Sequence, residues 1–372
     1  MVSVLFPVDH VGDVSGESEF HFELRVCEWA ERRWPPGGDE AGLPGVRGRP
    51  VVVARQLGIR RRRWDTVVVE VDPDALAQRA RFGERALDSD LLDVVRNAPA
   101  EWAWYRDALP EPEYPWRYVR EAVHRAADRD LIETRRDGNH IEIRRRWSYP
   151  DWVRRLIAIE NKPDLDAAAA RELTPQLERD VALGLADEVW LATTATGEHV
   201  EPALLEDLPP EAGILVFDFD AGDVDTRDDG LAEVLWHPRT LAVDEPGTRI
   251  LERPSGGSGD LSAARFEYAA PEWKAKKRLE IAERAYGRGW RSYLDRMRPD
   301  CRSFELRREG RALMPYCTAK GCLQTSAECS GNCPEFAPEP PAWRTRGWPI
   351  EGGPGRGIRE LLERRRERRR PE

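Results

Sequence analysis

Apolar and polar positions along this chain change their spacing several times, and each change marks an element. Between residues 17 and 34, Phe20, Phe22, Leu24, Val26, Cys27 and Trp29 are densely spaced before Pro35-Pro36-Gly37-Gly38, which predicts a first helix stopped by that turn. Residues 51–57 are apolar enough for strand or helix. After Arg60 to Arg63, the β-branched run over 66–71 predicts a strand with Asp65 at its start. Residues 74–150 differ: helical segments spaced by Ala and Leu lead to two short strands around Asp137-Gly138-Asn139, a predicted hairpin.

The segment 154–164 is the most informative. Its apolar core, Leu156-Ile157-Ala158-Ile159, runs into Glu160-Asn161-Lys162-Pro163, so a buried strand ends in charge. Side chains alternate across a strand, which places Leu156, Ala158, Glu160 and Lys162 on one face. Thr174 suits a helix N-cap and Pro175 the first helical position, with Leu177, Val181 and Leu185 as the buried stripe and Gln176 near Asp180. A buried strand follows over 189–194, so strand, helix and strand form a parallel crossover unit. Further strands are predicted at 213–219 and 232–236, an acidic loop at 220–230 and a flexible link at 255–259. A basic helix over 272–290 carries Lys274, Lys276 and Lys277, candidate phosphate contacts. The tail from 355 is rich in Arg.

A Glu-x-Lys at a strand end is a chemical device. The carboxylate holds a divalent metal, and the ammonium orients water or stabilises charge on a phosphate. Composition sharpens this, because the chain has five lysines against 53 arginines and Lys162 is one of the five. A surface ion pair is the plainer alternative. The formal net charge of −10 with 34% charged residues fits a salt-rich cytoplasm, and does not exclude local basic patches that bind nucleic acid. No run of about 18 apolar residues occurs, so no membrane span is expected, and the N-terminus lacks a signal-peptide pattern. A cytoplasmic location is the expectation. Neither a Gly-rich dinucleotide loop, a P-loop nor a nucleophile elbow is present, which counts against a metabolic enzyme of those classes.

Asp65, the strand ending in Glu160-x-Lys162, the helix with Gln176 and the strand over 189–194 together resemble the PD-(D/E)xK nuclease superfamily. The resemblance implies a restriction-endonuclease-like α/β fold, a mixed sheet flanked by helices. It makes Asp65 and Glu160 ligands of Mg²⁺ or Mn²⁺, Lys162 the catalytic lysine, and Glu23 and Gln176 supporting site residues. Glu70 and Asp72 stand as alternatives to Asp65, which lacks the preceding Pro of the signature. Residues 17–73 and 151–250 then form the core, and 74–150 become an inserted domain. Its helices and basic hairpin resemble a winged helix, with Arg135, Arg136 and the arginines at 144–146 as phosphate contacts. The segments 159–165 and 282–290 and the last cysteines also look like an uncharacterised haloarchaeal family.

Five cysteines, Cys301, Cys317, Cys322, Cys329 and Cys333, fall within 33 residues. In a cytosolic chain that clustering favours metal over disulfides, and four thiolates suit structural Zn²⁺ within a module over 265–336, ahead of an Arg-rich tail at 337–372. An iron–sulfur cluster that also uses Cys27 is the alternative implied by the nuclease resemblance. The expectation is a metal-dependent DNA nuclease; the alternative is a nucleic-acid-binding regulator on an inactive scaffold.

Overall fold

The computed structural model describes residues 19–37, 50–60, 62–194, 208–219, 231–252, 265–309, 312–325, 327–329 and 332–338. The expected acidic loop at 220–230, the link at 255–259 and the Arg-rich tail from 355 lie outside the described residues.

Helix α1 (Glu19–Arg33) precedes a hairpin of β1 (Val51–Ile59) and β2 (Arg62–Val71). Segment 51–57 is therefore strand. Strand β2 starts at Arg62, which places Asp65 inside it rather than before it. The hairpin closes tightly: a Cβ on Gly58 would lie 2.2 Å from the Arg62 carbonyl oxygen, so only glycine fits there. The main sheet then takes up β6 (Val153–Asn161), β7 (Glu188–Thr194), β8 (Gly213–Asp218) and β9 (Leu231–Trp236), in the order β1-β2-β6-β7-β8-β9. The β2–β6 pairing is antiparallel, β6–β7 and β7–β8 are parallel, and β8–β9 is antiparallel, so the sheet is mixed.

Alternation along β6 divides its apolar run between two cores. Leu156 and Ala158 pack with Val67, Val69, Leu191 and Leu177 on one face, while Ile157 and Ile159 pack with Val68, Phe22, Val26 and Trp29 on the other. A strand covered on both faces reads as a continuous apolar run, which is why this segment stood out in the sequence. Helix α1 covers the second face. Helix α6 (Ala167–Leu183), the β6–β7 crossover, and α7 (Pro271–Arg288) cover the first.

Helix α6 begins two turns earlier than the sequence suggests. Asp166 is its N-cap, accepting from the Ala168 and Ala169 amides, and Gly184 ends it with φ +55°. The predicted cap Thr174 instead donates its hydroxyl to Ala170 O at 2.8 Å, and Pro175 lies inside the helix. The preceding Ala-rich turns have helix propensity enough to carry the helix through a residue that forfeits one hydrogen bond.

Between β2 and β6 the chain forms α2 (Pro73–Ala80), α3 (Ser89–Asn97), β3 (Ala103–Trp104), α4 (Tyr105–Ala108), α5 (Trp116–Asp128), β4 (Ile132–Asp137) and β5 (His140–Arg145). Strands β3, β5 and β4 make a separate sheet in that order. From α3 onward this segment has its own core, in which Leu91, Val95, Val119, Val123, Ile132 and Ile143 pack together. After β9 come a hairpin of β10 (Gly247–Glu252) and β11 (Arg265–Ala269), then α7, and last a small sheet of β12 (Phe304–Glu309), β13 (Ala312–Cys317) and β14 (Cys322–Leu323).

Helix α7 fastens the inserted segment to the main sheet through a buried ion pair. Glu283 and Arg79 are both fully buried; the Glu283 carboxylate accepts from the Arg79 guanidinium, from Tyr149 Oη at 2.6 Å and from the Leu87 amide at 2.8 Å. Removing one partner of such a pair leaves the other charge buried without compensation. We expect Glu283→Ala to lower unfolding free energy by about 3–5 kcal/mol, measured by guanidinium denaturation. A loss under about 1 kcal/mol would show that water reaches Arg79 in the variant.

Candidate active site

The functional candidates converge where β2 meets β6. Thr66 lies opposite Ile159, and this register sets the Asp65 carboxylate against the end of β6, where Oδ2 accepts from the Asn161 amide at 3.0 Å. Asp65 Oδ1 accepts from Gln56 Nε2 at 3.0 Å, and the same amide donates to Glu23 Oε1 of α1 at 2.9 Å. Gln56 holds φ at +54°, a left-handed backbone that a non-glycine residue adopts at a cost, and this turns it to bridge the two acids. Glu23 is also ion-paired with Arg55, whose Nε donates at 3.1 Å.

Glu160 follows Ala158 on the face covered by α6, and the charge of Asp65 acts on it from the neighbouring strand. Arg62, at the start of β2, reaches the same place. Its guanidinium donates to both Asp180 oxygens, at 2.6 to 2.9 Å, and to Gln176 Oε1 at 3.2 Å. Arg62 Nη2 also lies 2.7 Å from Glu160 Oε1, an ion pair whose angles fall short of a hydrogen bond. That oxygen is buried with charge compensation but no donor aimed at it. The expected proximity of Gln176 and Asp180 holds because both address Arg62.

Lys162 departs from the expectation that it stands beside Glu160. Regular alternation ends with the strand at Asn161, just before Pro163, and the ammonium reaches instead to Glu19 in the first turn of α1, at 2.7 Å. The charges acting on it are those of Glu19, Glu172 and Asp164. Glu70 and Asp72 are not site residues: Glu70 accepts from Trp34 Nε1, and Asp72 caps α2.

Electrostatics mark the site as unbalanced. Five carboxylates (Glu19, Glu23, Asp65, Glu160, Asp180) face four cations (Arg55, Arg62, Lys162, Arg179). Burial raises the Glu160 pKa well above the ordinary carboxylate range, and the charges of Asp65 and Asp180 push it the same way against Arg62. Burial likewise raises Glu23, Asp65 and Asp180. A set of oxygen donors in which carboxylates outnumber cations is the chemistry that a hard divalent cation takes. Among the described residues, no group of three or more His, Cys, Asp or Glu is arranged as a ready ligand set; Arg62 stands between Glu160 and Asp180.

Other candidates are placed as follows. Lys274 is corrected: it is fully buried, and its Nζ donates to Ala242 O and Glu245 O at 2.8 and 2.9 Å, so it cannot reach a phosphate backbone. The basic stripe of a helix could not reveal which lysine turns inward. Lys276 pairs with Asp93 and Lys277 with Glu280. Arg135 and Arg144 flank the Trp102 ring at 4.6 and 4.8 Å and pair with Glu142 and Glu133; Arg136 is exposed. Cys329 is buried beside other thiols: burial first, then Cys301, Cys333 and Cys317, raise its pKa, while the Arg298 amide lowers it. Cys322 is exposed opposite Cys317 in the β13–β14 pairing. Cys27 lies elsewhere on α1, its thiol 3.3 Å from Thr66 Oγ1.

Sequence reasoning missed Gln56, Arg62 and Glu19 as site residues. Arg62 is one of four successive arginines, and nothing in that run distinguishes it.

A carboxyl whose folded pKa is raised binds its proton more tightly when folded. Its contribution is complete below the ordinary carboxylate range and is lost as pH rises to the raised value. Glu160→Gln, without divalent metal, is therefore expected to match or exceed the wild-type Tm at pH 7.5. The wild type should gain on the variant as pH falls toward 5, read by calorimetry. A variant Tm several degrees lower at pH 7.5 would mean that the attraction to Arg62 outweighs burial.

Among the described residues no helix is long and apolar enough to cross a membrane. No curated protein and no solved structure matches the chain. Residues 52–338 match the model of a family of unknown function, DUF5787, and because that span takes in most of the sequence, the chain belongs to this family.

Proposed function

We propose that this chain is a metal-dependent, nuclease-like protein that hydrolyses phosphodiester bonds in DNA, on a core of the PD-(D/E)xK, restriction-endonuclease-like type. The observation that carries this is the convergence of Glu23 on α1, Asp65 on β2, Glu160 on β6 and Gln176 on α6 around one carboxylate-rich site. Helix α1 with Glu23, β2 with Asp65, β6 with Glu160, α6 with Gln176 and β7 follow in the chain order that the resemblance uses, with the inserted segment between β2 and β6.

In this proposal Asp65 and Glu160 hold Mg²⁺ or Mn²⁺. The metal, when bound, supplies Lewis-acid neutralisation of the phosphate and a more acidic bound water. Gln56 holds the Asp65 carboxylate in place, and Arg62 stabilises Glu160 before metal enters. Lys162 donates to Glu19, whose side chain is 68% exposed. Surface pairs of this kind contribute roughly 0–1 kcal/mol, so the ammonium exchanges Glu19 for a phosphate oxygen at little cost.

The inserted segment supports a nucleic-acid partner. From α3 onward it runs helix, strand, two helices and two strands, an order that resembles a winged helix, and Arg135, Arg136 and Arg144 lie on the hairpin that would be the wing. For the cysteines, we propose that four of Cys301, Cys317, Cys322, Cys329 and Cys333 bind structural Zn²⁺, supported by their clustering in the chain and by the pairing of Cys317 with Cys322 across β13 and β14. An iron–sulfur cluster is distinguished by its visible absorption, and metal analysis of the purified protein decides between them. The regulator alternative is favoured by Arg62, whose guanidinium competes with metal for Glu160 and Asp180.

Two outcomes are expected. Mn²⁺ at about 100 times its Kd should stabilise the wild type by about 2.7 kcal/mol, read as a rise in Tm that Glu160→Gln abolishes. The wild type should cut linear or branched DNA with Mg²⁺ or Mn²⁺, in low salt and in molar KCl, and Glu160→Ala and Lys162→Ala should each lose about 100-fold or more of that activity. Folded wild-type protein that binds DNA without cutting it would replace the nuclease with the regulator.

A further inference from the structure

A cavity of about 530 Å³ opens where the end of the β1–β2 hairpin, the segment leading into α3, strand β10 and helix α7 meet. None of the carboxylates of the proposed active site lines it. Helix α7 contributes Trp273, Lys277, Glu280 and Arg284, at i, i+4, i+7 and i+11, which is one face of a helix turned into the cavity. Gly287 lets that helix approach closely, since a Cβ there would meet the Ala86 amide nitrogen at 2.5 Å.

The lining is cationic in a chain whose net charge is −10. Arg60, Arg249, Lys277 and Arg284 face Asp88 and Glu280. Asp88 caps α3 through the Leu91 amide and pairs with Arg125, and Glu280 pairs with Lys277 through Oε2 while its Oε1 is buried with no hydrogen bond among the described residues. Arg249 pairs with Glu267 and lies over the Trp273 ring, Cζ 5.0 Å from its centroid. Arg284 is anchored by donating to the Gly58 carbonyl; burial lowers its pKa, and the charge of Glu280 raises it. Among the described residues, neither Arg60 nor Arg284 is ion-paired with a carboxylate. The guanidinium groups of Arg60 and Arg284, both lining the cavity, attract a dianion, and Arg geometry suits phosphate oxygens. The Trp273 ring, with Ile59 and Leu87 nearby, offers an aromatic and apolar wall. Its volume lies within the usual range for small-molecule sites.

We propose that this cavity binds a nucleoside phosphate, with the phosphate at Arg60 and Arg284 and the base against Trp273 and Arg249. The nucleotide comes either free or as the phosphorylated end of a strand. Arg60 is two residues from Arg62, so the same hairpin end that forms this site also carries the arginine that holds Glu160. The assignment stands without the nuclease proposal, and its test uses no cleavage.

The test is calorimetric titration of the full chain, in EDTA, with 5′-AMP, adenosine, inorganic phosphate and a 5′-phosphorylated DNA pentanucleotide. Saturable binding of AMP or the pentanucleotide, at least tenfold tighter than adenosine and phosphate, is expected. Arg60→Gln and Trp273→Leu should each weaken it tenfold or more, and Arg239→Gln, outside the cavity, should leave it unchanged. Arg60 is exposed on a turn, so its variant folds even if Trp273→Leu does not. Preference for AMP assigns a free nucleotide, and preference for the pentanucleotide assigns a strand end. No saturable binding, phosphate binding as tightly as AMP, or unchanged affinity in Arg60→Gln would overturn the proposal.

Discussion

Thr66 opposite Ile159 is a pairing between strands that the sequence separates by some eighty residues, and most of what is distinctive about the molecule follows from it. It buries β6 on both faces, closes the inserted segment into a loop with its own core, and sets Asp65 Oδ2 on the Asn161 amide. Closing a long loop adds little entropy cost beyond closing a short one, so an insertion of this size is compatible with the sheet. A register slip of one residue would turn Glu160 from the α6 face to the α1 face and separate it from Arg62.

The carboxylates of the candidate site sit in an environment that resists ionisation. Glu23, Asp65, Glu160 and Asp180 are partly or fully buried, and burial raises the pKa of each, with arginines and one lysine as the cations nearby. Arg62 makes this tolerable by binding Asp180 with two nitrogens while lying against Glu160. A planar guanidinium can serve two acids and an amide at once, where an ammonium is a single point of charge. The site is thus held together by a group that any incoming cation must compete with.

Helix α7 links regions that are otherwise separate. Its Glu283 holds Arg79, Tyr149 and the Leu87 amide; its Lys274 satisfies the carbonyls of Ala242 and Glu245; its Arg278 donates to Leu185 O and Asp187. Several charges of a helix with a basic composition are therefore structural. The cationic cavity is lined by another face of the helix, with Lys277 and Arg284.

Local pattern determined much of this protein. The apolar run of 156–159 ending in Glu160 made the central strand legible, the β-branched run made β2 legible, and the Asp-Gly turn marked the hairpin of the insertion, because these depend on near neighbours and backbone preference. The sequence also carried Asp65, Glu160 and Gln176 as candidates through their resemblance to a known arrangement. Tertiary structure decided the rest. The start of α6 moved because Asp166 competes with Thr174 for the cap; Lys162 turned to Glu19; Lys274 turned inward; and Arg62, one of four like residues, became the centre of the site. Charged side chains are long and their partners lie far away in sequence, so where each one ends is fixed by packing and by competition among opposite charges, which no local pattern records.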